Sequence, residues 1–212
     1  MTDRQAELPG LERPIGRYIA LEGVEGCGKS TAARLLSDDL DAVLTREHGG
    51  TPIGQLIRAI VADPMHTNLD DRAEALLIAG DRAQHVAEVV RPALALGRHV
   101  VSDRSVYSSL AYQGYGRGLD LDMVRNVNDW ALDGLWPDIV VFVEVSPVVQ
   151  AARLKNRNLD RFERAGDAFF EKVVEGFRTM AADDPDHWIT VSGDGSPMEV
   201  HSVILAAVQE RL

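Results

Sequence analysis

Hydrophobic residues recur along this chain in two alternating rhythms. Short continuous apolar runs, often β-branched, fall at 18–21, 42–45, 99–102, 139–145 and 188–191. Runs of this length without polar alternation read as strands buried on both faces. Between them, apolar positions are spaced by three and four. In 29–40 they put Ala32, Leu35, Leu36 and Leu40 on one face, and in 53–61 they turn Leu56, Ile57, Ile60 and Val61 inward. The same spacing predicts helices over 70–96, 105–112, 121–132, 147–155, 169–182 and 197–211. The 70–96 helix is expected to bend near Gly80 and Pro92, because proline has no N–H to donate. Strands alternating with helices predict an α/β chain: a parallel sheet with helices on both faces, three layers in all.

Two stretches fit neither rhythm. Residues 1–16, with Pro9, Gly10 and Pro14, read as a flexible leader. Residues 156–167 read as a mobile loop inserted between helices. No linker divides the rest, so 17–212 is expected to form one domain, a size that suits one core.

Charge narrows the choice of partner. With 22 basic and 33 acidic residues, the net charge is −11. Nucleic-acid backbones need dense positive charge, so no nucleic acid is expected as partner. A few local arginines still suffice for a small phosphate ligand. No apolar run approaches a membrane span and the N-terminus has no signal-peptide core, so no membrane partner is expected. The one cysteine, Cys27, permits no intrachain disulfide and fits a reducing cytoplasm.

The chemistry begins directly after the first strand. Gly23-Val24-Glu25-Gly26-Cys27-Gly28-Lys29-Ser30 fits G-x-x-x-x-G-K-[ST], and a predicted helix follows it. In such a loop the backbone N–H groups surround phosphates and the helix N-terminus adds its positive end. Lys29 is expected on the β- and γ-phosphates of a nucleotide such as ATP, and the Ser30 hydroxyl on Mg²⁺. Cys27 reads most simply as a small residue filling a tight turn.

Two further features separate a kinase from other phosphate-loop proteins. Asp103-Arg104 ends the third strand, at the sheet edge where open α/β proteins bind ligands. Two readings stand there: a carboxylate for Mg²⁺ beside a guanidinium for phosphate, or a helix N-cap beside a solvated arginine. Arg153, Lys155, Arg157, Arg161 and Arg164 invert the local charge of an acidic chain. Such a segment suits a lid, over about 153–166, that closes on phosphates and excludes water.

Taken together, several segments resemble bacterial thymidylate kinases. They are 21–31 around the phosphate loop, Thr45-Arg46-Glu47-His48-Gly49-Gly50-Thr51, Asp81-Arg82-Ala83-Gln84-His85-Val86, Asp103-Arg104-Ser105 with 108–114, and Leu159-Asp160-Arg161-Phe162-Glu163. The resemblance covers essentially 17–212. It implies the P-loop NTPase fold with strand order 2-3-1-4-5, ATP and Mg²⁺, dTMP as phosphoryl acceptor, and a homodimer. It places Gly23 through Thr31, including Val24, Glu25, Gly26 and Gly28, around the donor, with Mg²⁺ held by Ser30 and Asp103. It places Glu47, Gly49, Ile78, Arg82, Arg104, Ser108, Ser109, Tyr112 and Gln113 around the acceptor, with Arg82 on thymine, Arg104 on its phosphate and Tyr112 under the deoxyribose. Catalytic roles fall to Lys29, Arg104, Glu25 and the lid arginines Arg153 and Arg157, with Arg161 a further candidate, because the phosphate loop contains no arginine. The segment 193–195 resembles the loop beside adenine.

Two positions depart from the pattern. His48 stands where the family usually has proline, and a non-proline residue rarely accepts a cis bond, so the resemblance does not fix this loop. A general base or a tolerated loop substitution are the two readings of His48, and the second is simpler. Ile78 stands where an aromatic usually stacks on thymine. The alternative to dTMP is therefore another deoxynucleoside monophosphate or a related small acceptor.

Overall fold

The computed structural model describes residues 16–155 and 160–212. The expected leader therefore falls outside it apart from Gly16, as do lid residues 156–159, Arg157 among them.

Five strands form one parallel sheet: β1 (Tyr18–Glu22), β2 (Val43–Arg46), β3 (Val100–Asp103), β4 (Ile139–Glu144) and β5 (Trp188–Ser192). Their order is β2-β3-β1-β4-β5, as the resemblance implies. Alternate residues of β4 feed opposite faces. Ile139, Val141 and Val143 join a core with α1 (Lys29–Asp39) and α9 (Pro197–Gln209), through Ala33, Leu36, Ile204 and Val208. Val140 and Phe142 join a second core with α8 (Asp167–Asp183), through Phe169, Val173 and Phe177. Burial on both faces is why the strand sequences carry no polar alternation. The register aligns Arg46 with Asp103 and Leu21 with Asp103, so the polar ends of β1, β2 and β3 meet at one sheet edge.

The predicted 70–96 helix is nearly continuous but changes pitch. It runs as α3 (Asp71–His85), a wide π turn over Val86–Val90, and α4 (Arg91–Ala95). Arg91 N–H bonds back to Val86 across the wider turn, directly before Pro92. The departure from regular α pitch thus falls in the turn before Pro92 and not at Gly80, where the helix runs on. The 105–112 helix also widens: α5 (Val106–Ser109) opens into a π segment, Leu110–Gly116, which carries Tyr112 and Gln113. Gly116 lets this segment pack against α8, since a Cβ there would lie 2.6 Å from the Phe169 ring.

The helix α2 (Pro52–Val61) corrects one expectation. Its inner face is Gly54, Ile57, Arg58 and Val61, so Ile57 and Val61 turn inward as expected; Leu56 is 69% exposed, and Ile53 and Ile60 also face outward. The reason is Asp81, whose Oδ1 would lie 2.1 Å from a Cβ on Gly54, so α2 docks through its small residue. The remaining helices are α6 (Leu121–Leu132) and α7 (Pro147–Leu154). The described part of the expected mobile loop is docked: Arg161 N–H donates to Ala62 O, and Phe162 is buried.

Candidate active site

The loop between β1 and α1 turns through Gly26 (φ 80°) and Gly28 (φ 99°), conformations in which a side chain would be strained. Val24 and Cys27 are buried beneath it, and Cys27 fills the turn, as the simpler reading of the sequence has it. Lys29 Nζ donates to Val24 O at 3.2 Å. Ser30 Oγ donates to Asp103 Oδ2, while Asp103 Oδ1 is buried without a hydrogen-bond partner.

Arg104 faces this loop from the end of β3. It is held in the left-handed region at φ 73°, an uncommon state for arginine, by its N–H to Leu21 O and its carbonyl to Ser102 Oγ. The guanidinium donates to Glu25 Oε1 at 2.5 Å, Gly23 O at 3.1 Å, Ser108 Oγ at 3.1 Å and Tyr112 OH at 3.2 Å. Tyr112 in turn donates to Glu25 Oε2 at 2.9 Å. Burial works to raise the Glu25 carboxyl, but Arg104 and Lys29 outweigh it and hold it below its usual range. Ser105 and Ser108 are fixed from below by Glu22, whose buried carboxylate accepts from both hydroxyls.

Deeper in the cavity lies a buried polar cluster. Arg82 donates to Glu47 Oε2 at 2.8 Å, Ser109 Oγ at 3.0 Å, Ser105 O at 3.1 Å and Asn128 Oδ1. His85 Nδ1 meets the other Glu47 oxygen at 2.9 Å. Burial alone would raise Glu47, yet Arg82 and His85 hold it low, as an ionised partner. Gly49 does not face the cavity; its N–H donates to Asp81. The Glu47-His48 peptide is cis despite the histidine. The His48 ring lies against Phe162, centroids 5.8 Å apart, and its carbonyl accepts from Arg58. Burial, then the charges of Arg58, Arg104 and Arg82, lowers its pKa to about 3. A ring held that low is a poor proton acceptor, which favours the reading of His48 as a loop substitution.

One cavity of about 420 Å³ gathers Glu25, Gly26, Gly28, Lys29, Ser30, Thr31, Glu47, Ile78, Arg82, Asp103, Arg104, Ser108, Ser109, Tyr112, Gln113 and Arg153. Arg153 does not point freely into it. Its terminal nitrogens donate to Gly26, Cys27, Gly193 and Gly195 carbonyls at 2.9–3.2 Å. Beyond it a hollow of about 230 Å³ runs between Thr31, Gly193, Gly195 and Pro197. Arg161 is also engaged, with Val61 O at 2.8 Å and with the Glu74 carboxylate.

Sequence reasoning missed Arg58, and gave Arg46 and Phe162 no role within the segments it quoted, though all three line the cavity. Arg58 left a signal: it is a lone charge on the inner stripe of α2, between Gly54 and Val61. Burial first, and then the nearby Arg46 charge, pull its pKa down, while Asp160 works to raise it.

Residues 21–204 match the family model described as thymidylate kinase. Thymidylate kinases of an Exiguobacterium species and of Halothermothrix orenii are 41% and 43% identical to this chain. Those alignments cover 93% and 92% of it, and 96% and 97% of the relatives. The crystal structure of thymidylate kinase from Ehrlichia chaffeensis superposes with a TM-score of 0.76 at 27% identity, over 92% of this chain and all of that one.

Proposed function

The chain belongs to the thymidylate kinase family and is a dTMP kinase, moving the γ-phosphoryl group of ATP onto thymidine 5′-monophosphate; from that premise we propose how its own residues divide the work. What carries the reading is one cavity with two opposed cationic walls, the Lys29 loop on one side and Arg46, Arg58 and Arg104 on the other.

The donor phosphates lie in the loop around Lys29, and its nucleoside extends into the hollow behind Arg153, under the loop 193–195. Ser30 and Asp103 fit Mg²⁺: both offer hard oxygens, they touch, and a buried Asp103 oxygen awaits a partner. Bound there, the ion would neutralise charge on the β- and γ-oxygens. Arg104 and Arg58 hold the acceptor phosphate, an anion that relieves the crowding of their charges. Glu25 yields Arg104 to that phosphate and turns to the sugar, which packs on Tyr112.

The base goes to the inner end. Arg82 commits all but one of its N–H groups to protein acceptors. Gln113 gives its amide nitrogen to Glu74, leaving Oε1 for the cavity. One donor beside one acceptor complements the O4 and N3–H edge of thymine and opposes that of cytosine. Ile78 packs on the ring.

An oxygen of the dTMP phosphate then attacks the γ-phosphorus in line. The bond to the β–γ bridging oxygen breaks, and ADP leaves with that electron pair. The attacking oxygen carries no proton at neutral pH, so no base is required. Arg153 braces the donor end of the lid. In an ADP-release assay with ATP and Mg²⁺ against dTMP, dUMP, dCMP, dGMP, AMP and UMP, dTMP is expected to be the best acceptor. A higher kcat/KM for any of the others refutes the base assignment.

We also assign a homodimer. The neighbouring helices α2, α3 and α6 expose Ile53, Leu56, Leu76, Met123 and Trp130, the last 87% exposed. Gly80 and Ala83 on α3 are exposed between them and allow close approach of a second copy. Sedimentation of Leu56→Glu should give a monomer where the native chain gives a dimer; a native monomer overturns this assignment. The reaction belongs in the cytoplasm, where the lone Cys27 stays reduced.

A further inference from the structure

Glu74 touches neither phosphate wall, yet it is fully buried on α3 and collects three donors. Its Oε1 accepts from Gln113 Nε2 at 2.8 Å. Its Oε2 accepts from Arg117 Nη2 at 3.1 Å and from Arg161 Nη2. The first donor belongs to the acceptor pocket and the last to the far end of the lid. Arg161 also lies over the Phe162 ring at 4.9 Å, and that ring covers His48 and Tyr112 at the cavity roof.

An ionised carboxylate only accepts hydrogen bonds. Gln113 must therefore turn its nitrogen toward Glu74, and its oxygen is the atom left for the cavity. Gln113 alone has no such preference, since a free amide presents either end. We propose that Glu74 is a positioning residue that sets base choice: it locks the Gln113 amide to accept N3–H, and through Arg161 it seats the Phe162 ring at the cavity roof. This rests on the dTMP kinase reading and adds to it a group that no substrate atom reaches.

The two arms separate by mutation. In Glu74→Gln the new amide both donates and accepts, so Gln113 is free to turn and to meet the reversed edge of cytosine. The ratio of kcat/KM for dTMP over dCMP should fall by about tenfold or more. The ratio of dTMP over dUMP should hold, because both bases share the O4 and N3–H edge. Arg161→Met keeps the Glu74 bond to Gln113 and loosens only the lid, so kcat should fall with the dTMP to dCMP ratio intact. If Glu74→Gln does not fold by circular dichroism, Glu74→Asp, which keeps the charge but withdraws from Gln113, is judged by the same ratio. A folded Glu74 variant with the native ratio overturns the proposal, and so does an Arg161→Met ratio that shifts as far. A native chain that fails to phosphorylate dTMP is a different failure, of the function itself.

Discussion

The two cationic walls of the cavity are built in opposite ways. The donor wall is a single run of residues, 23–31, whose shape comes from glycine conformations and whose donors are mostly backbone N–H groups at the start of α1. The acceptor wall draws on β2, α2, α3, β3 and the π segment, and its donors are arginine side chains. A backbone cradle is set by local sequence. A side-chain wall is set by whatever holds the side chains, here carboxylates: Glu25 on Arg104, Glu47 on Arg82, Glu22 beneath Ser108 and Glu74 on Gln113. The donor site should therefore fail through its own residues, and the acceptor site through residues that no ligand touches.

The sharpest test of this division is Arg104→Ala. It should lower kcat about 10³-fold while calorimetry finds ATP affinity nearly native. A parallel loss of ATP affinity would mean the walls act as one site. Gly54→Ala tests the acceptor wall from outside. Its Cβ would meet Asp81 Oδ1, so α2 must shift at a cost of about 1–3 kcal/mol, seen in thermal melts. The KM for dTMP should rise, because Arg58 rides on that helix, while the KM for ATP stays put. Ile78→Phe restores an aromatic face beside the base and should tighten dTMP by about 0.5–1.5 kcal/mol in a titration; unchanged affinity would mean the ring does not reach position 78.

The smallest effect concerns pH. His48 titrates at about 3 in the folded chain against 6.5 in the open one, so below 6.5 the unfolded chain takes up a proton that the folded chain refuses. Its contribution is thus fully present above pH 6.5 and is lost as pH falls toward 3. In His48→Gln the slope of unfolding free energy against pH between 4.5 and 6 should be shallower by about one proton, ~1.4 kcal/mol per pH unit at most. Denaturant titrations at several pH values give that slope. An unchanged slope would mean the ring is solvated and the acceptor roof more open than its packing on Phe162 implies.

The sequence by itself determined the sheet, its layers and the turn of the phosphate loop. Continuous apolar runs have one stable environment, and a glycine-rich loop between strand and helix needs no distant partner to take its shape. It also named most acceptor residues, but only through resemblance. Tertiary structure alone decided which face of α2 turns inward, because Asp81 on α3 accepts nothing larger than Gly54 there and so carries Arg58 into the cavity. It decided that Arg153 and Arg161 are held by carbonyls and a carboxylate, since those partners come from segments far along the chain. Periodicity reports only which residues avoid water. Which charge faces which is settled only when distant segments meet.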